Sequence, residues 1–135
     1  MLRITILLIS IAVTACAAGT TPTQPAPAGD KAVLEKLAAA YSKLAENLPV
    51  SPTRMPPEQR KAFVAKVFAA GGYSYTATLH KMAEGGWDPN DKNARDLVEL
   101  LFLPHTNIRS GDSLAGVYSE QELADVRKVQ RMLPQ

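Results

Sequence analysis

Tyr118-Ser119-Glu120-Gln121-Glu122-Leu123 packs a complete helix start into six residues. Ser119 and Glu122 have the spacing of a capping box, in which each side chain bonds the other's backbone N–H. Tyr118 and Leu123 bracket them at the spacing of a hydrophobic staple. Leu123, Val126, Val129, Gln130 and Leu133 then follow at helical spacing, the pattern of a helix with one covered face. Nowhere does the chain offer a convincing alternation of period two, the mark of a half-buried strand. The expected fold class is all-α.

Upstream, Trp87-Asp88-Pro89-Asn90-Asp91 reads as another start, with Asp88 as N-cap and Pro89 in the first position. Ala94, Leu97, Val98, Leu101 and Phe102 form the apolar face of that helix, and Pro104 closes it. A further segment runs from Pro57-Glu58 to Gly85-Gly86, with Phe63, Val67, Ala70, Ser74, Thr78 and Met82 on one face at 100° per residue. Gly71-Gly72 lies in its middle. Each glycine costs about 1 kcal/mol against alanine in a helix interior, so the pair marks either the close approach of a neighbour or a break. The first helix begins after Asp30, carries Leu34, Leu37, Tyr41, Leu44 and Leu48 on one stripe, and stops at Pro49. Residues 30–135 are thus expected to form a compact bundle of about four helices. That length buries a modest core without a metal or a disulfide, and a single cysteine allows no internal disulfide.

Hydrophobic residues make up 46 % and charged residues 21 %, ordinary for a globular domain. The formal charge is +2 with no block of like charge, which speaks against a nucleic acid or an anionic surface as partner. The N-terminus is different in kind. Met1-Leu2-Arg3 is a brief basic start, and Ile4 to Val13 is an apolar run interrupted only by Thr5 and Ser10. That is roughly half of the twenty or so residues a permanent membrane helix needs. Residues 1–15 therefore read as a secretory signal. Ala17 to Gly29 contains no large apolar side chain and has prolines at 22, 25 and 27. It reads as an extended, flexible tether, so that residues 16–29 link the signal to the domain.

Val13-Thr14-Ala15-Cys16 resembles the lipobox that closes the signal peptide of bacterial lipoproteins, with Val13 where leucine is commoner. The resemblance implies diacylglycerol on the Cys16 thiol, cleavage before it, and acylation, typically with palmitate, of the new N-terminus. Several acyl chains at about 0.8 kcal/mol per buried methylene make such an anchor permanent. Ala17 and Ala18 follow the cysteine with no aspartate, which by resemblance to enterobacterial lipoproteins points to the outer rather than the inner membrane.

Residues able to carry chemistry are few. His80 and Glu84 stand at i, i+4 on one helix face, a spacing that metal sites use. Only His105 and Asp112 are available to complete such a set, so neither metal nor cofactor is expected. If the segment through the glycines is one helix, Lys66, Ala69, Tyr73, Ala77, His80 and Glu84 form a stripe opposite its apolar face. Small residues around an aromatic suit a partner-binding surface. His105 to Val117 is long for a connection in a small domain, and its His105, Arg109, Asp112 and Ser113 make it a candidate functional loop. No nucleophile elbow or phosphate cradle accompanies them. Trp87 reads as a packed anchor at a helix end.

These features lead to a non-enzymatic accessory or scaffold lipoprotein that holds an envelope protein partner at the membrane. The alternative is a helical module binding a partner peptide or small hydrophobic ligand, a layout similar to pilotin-type lipoproteins. A periplasmic hydrolase ranks third, since it requires a cleft joining His80, His105 and Asp112. No motif in residues 30–135 carries a family resemblance.

Overall fold

The computed structural model describes residues 21–106 and 113–135. Among them the chain is entirely helical: α1 (Lys31–Ala45), α2 (Pro57–Ala70), α3 (Tyr75–Ala83), α4 (Lys92–Leu101) and α5 (Glu120–Met132). Short 3-10 turns at Pro52–Arg54, Leu103–His105 and Leu114–Gly116 connect them. No helix of the described residues is long and apolar enough to cross a membrane.

The caps explain most boundaries. Asp30 accepts from the N–H groups of Ala32 and Val33 and starts α1. The capping box at Ser119 and Glu122 is fully formed at the start of α5. The start of α4 differs from expectation. Asp91, not Asp88, is the N-cap and accepts from the Ala94 N–H, while Asp88 accepts from the Asn90 N–H and closes the turn before it. Asp91 wins because the Asp88–Asp91 turn carries the chain round from α3 before helical geometry begins.

The segment expected as a second helix is two. Gly71 caps α2, and Gly72 turns the chain at φ 90°, a left-handed conformation that only glycine adopts without strain. Ser74 then restarts the helix by accepting from the Ala77 N–H. The bundle therefore has five helices. A Cβ on Gly71 would stand 2.8 Å from a Leu37 methyl, so the same pair also lets α1 come close. Because the helical phase restarts at Ser74, Tyr75 and Leu79 join the core, positions that a single wheel places off the apolar face.

Phe68, Leu37, Leu79, Met82, Leu97 and Leu101 are among the fully buried side chains at the centre. α3 packs chiefly on α5, and α1 on α2 with a lighter contact to α4. Arg60, only 3 % exposed, sits inside this apolar frame. Its guanidinium donates to five backbone carbonyls: Pro52, Thr53 and Met55 on one side, Leu103 and Thr106 on the other. Those five bonds use every N–H that an arginine side chain owns. The charge is thereby solvated by peptide dipoles, and two connections are fastened to α2.

Gln24–Ala28 also departs from expectation. This half of the supposed free tether lies against α3, with Ala26 2 % exposed and in the core. The Ala26 N–H donates to the buried Thr78 hydroxyl at 2.9 Å, and the Ser74 N–H donates to the Gln24 carbonyl at 2.8 Å. Small side chains and prolines fit here because their backbone, not their bulk, makes the attachment. The folded unit begins near Gln24 rather than at Asp30.

Replacing Arg60 with lysine leaves several of the five carbonyls without a donor, and urea unfolding should register a loss of about 2–4 kcal/mol. Gly72→Ala forces a Cβ into the left-handed region and should cost about 1–2 kcal/mol in the same assay, with the helical circular dichroism unchanged.

Candidate functional site

The apolar stripe of α1 is covered incompletely by α2 on one side and α4 on the other. Of its line of large residues Leu37 is buried, while Leu34, Tyr41, Leu44 and Leu48 remain partly open to solvent. Two clefts follow. One, of about 410 Å³, lies between the C-terminal end of α1 and the N-terminal half of α2, with Leu44, Leu48, Met55 and Phe63 in its walls. Gln59 and Lys66 stand at the same cleft as its polar members. Tyr41 meets Phe63 edge-on at 5.1 Å and closes the inner wall. Val50, at 45 % exposure the most open large apolar residue described, follows shortly after Leu48. The second cleft, about 360 Å³, lies between α1 and α4 and is lined by Leu34, Leu37, Tyr41 and Leu100. Such surfaces recognise apolar side chains of a peptide or the tails of a small amphiphile.

Two polar clusters lie elsewhere. In the first, His80 bridges α3 and α5: Nδ1 is 3.1 Å from Asp125 and Nε2 is 3.3 Å from Glu84. Asp125 is 1 % exposed and also accepts from Gln121 at 3.1 Å. Both imidazole nitrogens thus face carboxylates, and the group fastens α5 to α3. In the second, Lys61 bonds Glu122 at 2.7 Å and lies 5.1 Å over the Tyr118 ring. Tyr118 stacks on His105 at 4.9 Å and lies within 3.3 Å of the Tyr75 hydroxyl, which donates to the Leu101 carbonyl at 2.7 Å. Burial pushes the Tyr118 phenol up to about 12 and raises that of Tyr75 further. Burial also lowers the His105 imidazole, favouring its neutral form. Burial pulls Glu122 upward, but the bonds from Lys61 and Ser119 outweigh it and hold the carboxyl below its ordinary value.

The break at Gly71-Gly72 divides the stripe expected on one face. Lys66 belongs to the α1–α2 cleft, and Tyr73 sits at the α2–α3 corner under Lys36, 5.8 Å from its ring centroid. His80 turns toward Asp125 of α5 and Glu84 stays beside it on α3. The candidate loop is described only at its ends. His105 is packed against Phe102 and Tyr118, while Arg109 and Asp112, like Cys16, lie outside the described residues. His80 and His105 keep separate partners, and none of the four clefts described brings them together. Among the described residues no group of three or more His, Cys, Asp or Glu is placed to hold a metal ion. Comparison with known proteins finds no matching family, no matching curated protein and no matching solved structure.

Sequence reasoning missed Arg60 and Asp125; it placed Thr78 on the covered face without its bond to Ala26. Arg60 offers no signal, because an arginine in the first turns of an amphipathic helix ordinarily points to water. Asp125 stands at i, i+3 and i, i+4 from Glu122 and Val129, on the covered face of α5, and that register was readable.

Both titrating groups give acid sensitivity of the same sign. A histidine held neutral contributes stability that is whole above its unfolded value of 6.5 and is lost as pH falls below it. The lowered Glu122 contributes above 4.5 and is lost as pH falls through its folded value. The urea midpoint should therefore fall in two stages on acidification, His105→Phe removing the first and Glu122→Gln the second.

Proposed function

We propose that this chain is a lipid-anchored, non-enzymatic accessory subunit of an envelope complex, and that its helical domain holds an apolar segment of a protein partner in the α1–α2 cleft. The observation that carries the reading is the half-covered stripe of α1, which leaves Leu44, Leu48 and Met55 facing an open cleft. A surface of this kind at the end of a bundle suits the apolar residues of a partner helix spaced at i, i+3 and i+4. Gln59 and Lys66 at the same cleft supply the polar rim such an interface needs.

The anchor is the second half of the reading. The signal-like residues 1–15 and the lipobox-like Val13-Thr14-Ala15-Cys16 support lipid on Cys16. Ala17-Ala18 support the outer membrane as the site of residence. A near-neutral charge with no basic block favours a protein partner over nucleic acid. Catalysis has little to work with: both nitrogens of His80 face carboxylates, and His105 is held in an aromatic stack.

Two measurements test this. Cells grown with labelled palmitate should label the native chain and not a Cys16→Ala form. A photo-reactive amino acid at position 59 should cross-link one envelope protein in intact cells, and Leu48→Asp should abolish that product while preserving the helical spectrum. Capture of a second copy of this chain, or of nothing, would overturn the partner reading.

A further inference from the structure

The extended segment Gln24–Ala28 changes where the domain hangs from its anchor. The Ser74 N–H donates to the Gln24 carbonyl at 2.8 Å, the Gln24 amide donates to the Gly72 carbonyl at 3.1 Å, and the Ala26 N–H donates to the Thr78 hydroxyl at 2.9 Å. Thr78 is fully buried, and its hydroxyl donates in turn to the Ser74 carbonyl at 2.7 Å. Further along, Pro25, Ala26 and Ala28 form one wall of a cleft whose other wall is Met82, Gly86 and Trp87. The segment therefore runs beside α3 in the same direction, from its N-terminal to its C-terminal end.

The pivot of the chain thus sits at the α2–α3 corner, where Gly72 and Ser74 hold Gln24. Had the chain been free up to Asp30, the pivot would be at the other end of α3. Only residues 17–23 separate Cys16 from this corner, a covalent reach of at most about 30 Å. α2 leads away from the corner. At 1.5 Å per residue its fourteen residues extend about 21 Å. The α1–α2 cleft, at Gln59 and Met55, lies toward the far end of that helix.

We propose that the Gln24–Ala28 segment is an orienting clamp, which holds the α2–α3 corner toward the bilayer and turns the α1–α2 cleft away from it, toward a partner. The inference rests on the lipid anchor at Cys16 proposed above, but the clamp itself does not. Without it the domain would swing on a leash about twice as long.

Ala69 and Gln59 are both exposed on α2, ten residues and about 15 Å apart along the axis. A donor dye on a cysteine at either position, in the full lipidated chain on phosphatidylcholine vesicles carrying an acceptor lipid, reads the height of each end. Transfer at position 69 should exceed that at 59 by about twofold, and Ala26→Asp, which cannot seat at the buried position, should bring the two together. Equal transfer in the native chain, or a difference that survives Ala26→Asp, would overturn the orientation. Amide exchange on the unlipidated chain separates the parts: the Ala26 and Ser74 N–H groups should be protected, and in Thr78→Val the Ala26 N–H should lose its protection. Fast exchange at Ala26 in the native chain would overturn the clamp. Failure of the native chain to bind vesicles at all would instead overturn the anchor.

Discussion

The guanidinium of Arg60 carries a full charge into an apolar interior and is neutralised there by peptide dipoles alone, five carbonyls from two separate connections. A buried charge without such partners is strongly unfavourable, so each connection is held to the geometry that the side chain demands. The loop before α2 is bound through Pro52, Thr53 and Met55. That places the Met55 side chain in the wall of the α1–α2 cleft. The turn after α4 is bound through Leu103 and Thr106, which sets His105 between Phe102 and Tyr118. The shape of the cleft and the packing on the other side of the first turns of α2 are thus consequences of one side chain.

The Gly71-Gly72 corner acts next. By ending α2 and restarting the chain as α3, it turns Tyr75, Leu79 and His80 toward α5 and α4. The polar groups that then meet across α3 and α5 are satisfied as a set: His80 with Asp125, Gln121 with Asp125, Lys61 with Glu122, and Thr76 at 3.4 Å from Glu122. Networks of this kind fix register more than they add stability. The consequence for α1 is negative. With α3 and α5 committed to each other, only α2 and α4 flank α1, and they leave Leu34, Tyr41, Leu44 and Leu48 partly open.

The helical class was legible because the signals for it are local. Asp30, Ser119 with Glu122, and the three-four spacing of the apolar residues each act within one or two turns of helix. The glycine pair was legible as an anomaly, and both readings of it hold: Gly72 makes the break, and Gly71 admits Leu37 from another helix. What escaped was everything made by backbone groups distant in sequence. Arg60 reaches a turn more than forty residues away, and Gln24–Ala28 is attached through main-chain bonds that leave its composition looking like a linker. The half-covered cleft was equally hidden, because a periodic stripe shows which face is apolar and not how much of it a neighbour will cover.

Trp87 is the single tryptophan of the chain. Its indole N–H donates to the Met82 carbonyl at 2.8 Å, and its ring shares a cleft with Pro25, Pro27 and Ala28. The polarity around that ring consequently depends on whether the segment beside it is seated. The molecule carries an optical gauge of its own N-terminal attachment: the emission colour of one indole reports whether Gln24–Ala28 lies against α3.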